Sequence, residues 1–223
     1  MADKSPAEYD EVAEAYNRAH DVDGGVLVDP LLTELTGPVA GLAVLSLACG
    51  QGQDARLLAQ LGASVTGVDV SPVMLGYARQ HEAADPHGIR YIEGDAQQLA
   101  ELEDQSFDGV LCHMALMDIP ELEPTVGSVA RVLRNGGWFV FSIVHPCYRG
   151  HVEIVTDYLV DHRYAKRVPR DWLPRHAYHR PLSAYINSLA QTGFHVERIL
   201  EVHHQVDDAG DVPGLLYARA VIQ

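Results

Sequence analysis

Ala43-Val44-Leu45-Ser46-Leu47-Ala48-Cys49-Gly50-Gln51-Gly52-Gln53-Asp54 is the stretch that decides the fold. A run of strand length and strand composition closes at Leu47, two glycines flank Gln51, and a helical pattern follows from Asp54 to Leu61. Glycines at a strand-to-helix turn let a ligand touch bare backbone. A second strand-like run, Ser64–Asp69, ends in a carboxylate 19 residues after Gly50. An acid at the tip of that strand can accept two hydrogen bonds from a ribose diol. Bend and carboxylate together make a grip for an adenosine.

Outward from this unit the same grammar repeats. Further strands are expected at Ile89–Glu93, Phe107–Cys112 and Trp138–Val144. Helices fall between them at Pro72–Glu82 and Pro124–Leu133, with Ser71 as cap and Pro72 in the first turn of the former. Asn135-Gly136-Gly137 is expected to stop the latter. Alternation of this kind implies a parallel sheet covered by helices on both faces. Toward the C-terminus a helix at Leu182–Gln191 precedes strands at Phe194–His203 and Leu215–Gln223, which the Asp- and Gly-rich turn Asp207 to Gly214 joins as an antiparallel edge. Upstream, Tyr9, Val12, Ala13 and Tyr16 recur at helical spacing in an amphipathic helix, Pro6–His20, and a short helix follows at Val28–Leu35.

The chain has 223 residues, enough for one α/β domain spanning 1–223, with 1–40 as a helical lid and 146–180 as an insertion over the carboxyl ends of the strands. Sixteen basic residues against 31 acidic ones give a formal charge of −15, a field that repels phosphate backbones and argues against nucleic acid. No stretch is apolar for long enough to span a bilayer, and Met1 to Asp10 carries Asp3, Glu8 and Asp10 without an apolar core, so no membrane and a cytoplasmic location are expected. Cys49, Cys112 and Cys147 lack a CxxC spacing and read as free thiols, and no set of three or four ligands at metal-site spacing occurs.

Gly50, Gly52 and Ala55 also satisfy the loose dinucleotide spacing, which keeps a nicotinamide-dependent oxidoreductase in view. Against it, Asp54 lies in the first helical turn, where a pyrophosphate needs positive potential, and neither Lys4 nor Lys166 has a tyrosine four residues before it.

A ligand carrying a sulfonium and an ammonium but no phosphate suits an acidic rim better. Five segments carry a resemblance to the class I S-adenosylmethionine-dependent methyltransferases, in particular their small-molecule branch: Leu45 to Gly52, Val65 to Ser71, Gly94-Asp95-Ala96, Phe107 to Val110 and Val132 to Gly137. The resemblance implies a doubly wound, Rossmann-like, seven-stranded sheet of order 3-2-1-4-5-7-6 with the last strand antiparallel. It implies S-adenosyl-L-methionine as cofactor and a small-molecule methyl acceptor with an O, N or C nucleophile, handled by a monomer or homodimer. Ala48, Cys49, Gly50, Gln51 and Gly52 would line the methionine end and Asp69 the ribose. Val70 and Met74 would pack near adenine, Asp95 and Ala96 bond its edge, His113 border the sulfonium, and Tyr16 close over the cofactor. The family usually has an acid where Ser46 stands and glycine where Ala48 stands. A cofactor-binding protein of the same fold without catalysis is the second alternative.

The end of the fifth strand faces substrate in this fold, which makes His145 the candidate general base. Tyr148, His176, Tyr178 and His179 are the candidate acceptor-side residues. Six basic residues between His162 and Arg180 (Arg163, Lys166, Arg167, Arg170, Arg175, Arg180) reverse the local charge, although such runs are commonly solvated surface.

Overall fold

The computed structural model describes residues 8–20, 29–148, 158–165, 176–203 and 213–223. Lys166, Arg167, Arg170, Asp171, Trp172 and Arg175 of the insertion, and most of the expected turn from Asp207, lie outside the described residues.

Seven strands form one sheet: β1 (Ala43–Leu47), β2 (Ser64–Asp69), β3 (Arg90–Glu93), β4 (Phe107–His113), β5 (Leu133–Val144), β8 (Phe194–Val202) and β9 (Leu215–Ile222). Between β5 and β8 in the chain lies a separate two-stranded hairpin, β6 (His162–Ala165) and β7 (His176–His179). The sheet order is β3-β2-β1-β4-β5-β9-β8. β1 pairs in parallel with β2 and β4, whereas β9 runs antiparallel to β5 and β8. Counted without the hairpin, this is the expected order.

Among the described residues six helices accompany the strands: α1 (Glu8–His20), α2 (Pro30–Thr36), α3 (Gln53–Gln60), α4 (Pro72–Ala84), α5 (Leu122–Val132) and α6 (Leu182–Gln191). Successive residues of each inner strand face opposite sides. Leu45, Val110, Phe139 and Phe141 join one core with α5 and α6, while Val44, Leu111, Trp138 and Val140 join the other with α2 and α3. The reversal of strand order between β1 and β4 opens a crevice at their carboxyl ends, the usual ligand site of such sheets.

Two local expectations need correction. The helix before β5 ends at Val132, and β5 starts at Leu133, so Asn135-Gly136-Gly137 lies inside the strand rather than after the helix. A register shift between Phe107 and Gly109 opposite lets the strand absorb the extra residues. The insertion also carries ordered strands, β6 and β7, that the sequence did not announce, because four-residue strands held by cross-strand pairs leave little periodicity to read.

Candidate active site

The glycine bend follows β1. Gly50 has φ +53 and Gly52, the N-cap of α3, has φ +83, backbone conformations that favour glycine. A Cβ on Gly52 would also lie 2.2 Å from the Tyr91 hydroxyl, so β3 packs directly beneath the bend. Ala48 adopts φ +51 without being glycine, and Met114, just past β4, adopts φ +52. Both strained residues flank the crevice, as strain at functional sites commonly does.

Asp69 organises this bend. Its Oδ2 accepts from the Gly50 amide at 2.7 Å and its Oδ1 from the Ser71 amide at 2.9 Å. Burial pushes its carboxyl up, and the Ser71 and Gly50 amides pull it part of the way back. Ser71 caps α4 by accepting from the Met74 amide at 3.0 Å, and its hydroxyl donates to Asp10 of α1. Met74 is buried with its terminal methyl against Gly50, whereas Val70 is 56% exposed at the rim. Asp95 is drawn into a turn, accepting from the Gln97 amide at 2.9 Å and from the Gln97 side chain at 2.9 and 3.0 Å. Ala96 is buried beside it, and its carbonyl accepts from Ser128 at 2.5 Å.

His113, at the end of β4, stands between two carboxylates. Its Nδ1 lies 3.1 Å from Asp54 and its Nε2 lies 4.0 Å from Asp29. Burial lowers its pKa, but Asp54 and then Asp29 outweigh that and raise it above the ordinary value. Asp29 also caps α2 through the Leu31 amide (2.9 Å) and accepts from the Tyr217 hydroxyl (2.8 Å). Asp54 therefore has a partner that the sequence did not reveal, 59 residues away.

Helix α1 crosses this crevice. The Tyr16 ring stacks on His20 at 4.1 Å and meets Tyr9 edge-on at 5.8 Å. Burial, reinforced by Asp54, Asp118 and Asp69, raises the Tyr16 phenol to about 12. Three successive residues tie α1 down at three places. Glu8 reaches the hairpin, pairing with Arg163 and with the His176 ring at 3.0 Å. Tyr9 donates to Asp118 at 2.9 Å, and Asp10 meets Ser71.

A second cleft lies beyond the end of β5, between Met117, the hairpin and α6. Tyr148, Tyr164, Tyr178, Tyr185, His179 and Arg180 line it, together with Val144 and His145. Arg180 is buried, and its guanidinium donates to the carbonyls of Leu116 (3.0 Å), Ile119 (2.7 Å) and Pro120 (2.6 Å). The Tyr178 amide donates to the Met117 carbonyl at 2.7 Å. Strand β7 is thus bolted to the loop between β4 and α5.

His145 is buried, with both ring nitrogens engaged. Nδ1 accepts from the Cys147 amide at 3.1 Å, which leaves the proton on Nε2, 2.8 Å from Glu201. That arrangement argues against the proton-accepting role expected from the sequence. His179 also bonds inside the protein, through Nε2 to the Tyr158 carbonyl at 3.0 Å. Tyr9, Asp10, Asp29, Asp118, Tyr164 and Tyr185 are site residues that strand and motif patterns did not single out. Helical spacing drew attention to Tyr9 only as part of an apolar face.

The polar groups gathered at the bend, Asp69, Asp54 and Asp10, are acidic. They suit a ligand bearing sulfonium and ammonium charges and oppose a pyrophosphate. Gln51 adds a buried amide whose oxygen and nitrogen both lack a partner among the described residues, a hydrogen-bonding capacity that a ligand's amino-acid end can meet.

Comparison with known proteins agrees. Residues 45–141 match the family described as "Methyltransferase domain". A "Ubiquinone biosynthesis O-methyltransferase" of Albidiferax ferrireducens is 32% identical over 180 residues, covering 73% of this chain and 71% of that protein. A "Demethylmenaquinone methyltransferase" of Clavibacter sepedonicus is 34% identical over 137 residues, 60% of this chain and 55% of its own. The crystal structure of an S-adenosylmethionine-dependent methyltransferase from Mesorhizobium loti superposes with TM-score 0.70 at 30% identity, covering 86% of this chain and 96% of that one. Neither the nicotinamide reading nor a non-catalytic one is favoured by these likenesses, and the chain belongs to the S-adenosylmethionine-dependent methyltransferases.

Proposed function

We propose that this enzyme methylates a hydroxyl on a small aromatic acceptor that docks at the tyrosine-lined cleft beyond β5, whose free volume of about 20 Å³ has to widen to admit it. One observation carries the reading: four tyrosines, Tyr148, Tyr164, Tyr178 and Tyr185, line that cleft. Aromatic walls favour a ring that stacks or meets them edge-on. The names of matched relatives, which point to ubiquinone biosynthesis and demethylmenaquinone, support an aromatic acceptor.

Bound at the bend, S-adenosyl-L-methionine supplies an electrophilic methyl on a positively charged sulfur. Ala48, Cys49, Gly50, Gln51 and Gly52 hold its methionine end and Asp69 its ribose. Val70, Met74, Asp95 and Ala96 surround the adenine. His113 borders the sulfonium, where Asp54 and Asp29 keep the local potential negative despite the imidazole. Tyr16 covers the site from α1. On the acceptor side Tyr148, Tyr178 and His179 shape the cleft, and His176 anchors the lid through Glu8. His145 holds the loop after β5 in place. Residues 1–40 act as lid and 146–180 as acceptor-side insertion of one domain over 1–223. Alignment of nucleophile and methyl, with water excluded by α1, provides most of the acceleration.

No described helix is long and apolar enough to cross a membrane. A cytoplasmic location and a monomer or homodimer complete the proposal. Its test is a mass-resolved screen of phenols, catechols and amines with S-adenosyl-L-methionine. Gain of one methyl group on hydroxylated rings is expected. Gain on amines alone would overturn the aromatic-hydroxyl reading.

A further inference from the structure

With a free volume of about 20 Å³, the cleft beyond β5 admits an acceptor only if one of its walls gives way. Most of the walls are fixed. Val144 ends a strand that is paired on both sides, by β4 and β9. Tyr185 of α6 is buried in the core. Strand β7 is bolted to the loop between β4 and α5 through the Tyr178 amide and the three carbonyls that Arg180 binds.

Tyr164 stands on the wall that is not fixed. It belongs to β6, which pairs with β7 alone in a sheet of two strands, an arrangement that is marginal without further support. Tyr158 ties down the chain ahead of β6: its hydroxyl accepts from the Leu182 amide at 2.9 Å, and its carbonyl meets the His179 ring at 3.0 Å. Beyond that point, among the described residues, Glu8 of α1 is the one side chain from outside the hairpin that bonds β6. Its carboxylate clasps both strands, taking Arg163 of β6 together with the ring (3.0 Å) and the amide (3.2 Å) of His176 in β7. Burial pushes the Glu8 carboxyl up, but His176 and then Arg163 outweigh it and leave it below its ordinary value.

The helix that carries this clasp also crosses the cofactor crevice, where Asp10 meets Ser71, whose amide bonds Asp69. It is lightly held. Ala13 is its one buried residue, so α1 belongs to the elements that open before the core does. A cofactor lying between Asp69 and the Tyr16 ring touches α1 only when the helix is docked, and so shifts it toward the docked state.

We propose that Glu8 is a positioning residue that links the two sites: cofactor binding docks α1, the Glu8 carboxylate draws β6 in, and Tyr164 closes the acceptor cleft. The inference rests on the lid reading above and on no particular acceptor. With Glu8 disengaged, β6 and Tyr164 swing out and an acceptor enters. With it engaged, the acceptor is enclosed and water is kept from the reacting methyl.

Amide hydrogen exchange of the full chain, read by mass spectrometry with and without S-adenosylhomocysteine, tests this. In wild type the ligand should slow exchange about tenfold both in α1 and in the hairpin segments 162–165 and 176–179. In Glu8→Ala it should still slow α1, while the hairpin responds by less than about twofold. If Glu8 is only a structural contact, the variant's hairpin exchanges faster yet keeps its full response to ligand, and that result overturns the proposal. A wild-type hairpin that ignores the ligand while α1 slows overturns it equally. Should α1 itself not slow in wild type, the lid reading falls and the proposal with it. If Glu8→Ala also loosens β1 and β4, Arg163→Gln removes the other half of the clasp and decides by the same criteria.

Discussion

The cofactor crevice and the acceptor cleft lie side by side at the same end of the sheet, yet they are built differently. At the crevice, local backbone does most of the work: two glycines with positive φ, an Asp69 that bonds the amides of Gly50 and Ser71, and a Ser71 cap on α4. The cleft depends on side chains meeting across the fold. Arg180 reaches carbonyls about 60 residues away, Tyr9 finds Asp118 109 positions along, and Glu8 finds His176 168 positions along. Local geometry is reusable for one invariant ligand, whereas long-range contacts can be exchanged to suit a particular acceptor.

Substitutions can break or sharpen this contrast. The largest effect belongs to Asp69→Ala, which removes the ribose acceptor and loosens the bend. Affinity for S-adenosylhomocysteine should fall by about a hundredfold, roughly 2.7 kcal/mol, in calorimetry. Unchanged affinity would mean the bend is not organised by this carboxylate. On the acceptor side, His145→Ala should cost about 2 kcal/mol of stability by denaturant titration, because it removes a buried ring with its bonds to Glu201 and the Cys147 amide and leaves a void. Cofactor affinity should be preserved. If stability holds while turnover collapses, His145 is the base after all.

Ala48→Gly addresses strain at the bend. Glycine tolerates φ +51 without a Cβ penalty, so about 1 kcal/mol of stability should be gained, or about 2–4 °C in Tm. No gain would show that Ala48 is relaxed there. A subtler effect is one of pH. His113 has a raised pKa, so the folded state holds its proton more tightly than the unfolded one. That stabilisation is fully present below the unfolded value of 6.5 and disappears as pH rises through the folded value. Asp54→Asn should flatten the decline in unfolding free energy that wild type shows above that pH. An unaltered slope would remove the ion pair from the account.

Much of the crevice was legible in the sequence because its determinants are short-range: a strand, a Gly-x-Gly turn, a capped helix and an acid at a fixed distance. The sheet order followed from the alternation of elements. The cleft was legible only in part: Tyr148, Tyr178 and His179 stood out, but the long-range contacts that build it did not. Tyr9 reads as one more apolar position of a helix, Asp118 as one more loop acid, and Arg180 as the end of a basic run on the surface. Only folding shows that the first two share a hydrogen bond and that the third is buried among carbonyls. His145 marks the opposite limit. Its position after β5 pointed to chemistry, but Cys147 two residues on and Glu201 56 residues away have claimed its nitrogens.

A crystal structure with S-adenosylhomocysteine tests the central claim most directly. The account predicts ribose hydroxyls on the Asp69 carboxylate, the homocysteine end along Ala48 to Gly52, and Tyr16 closed above them. Ligand bound elsewhere, or lying in the crevice with Asp69 still bonded only to Gly50 and Ser71, would contradict it.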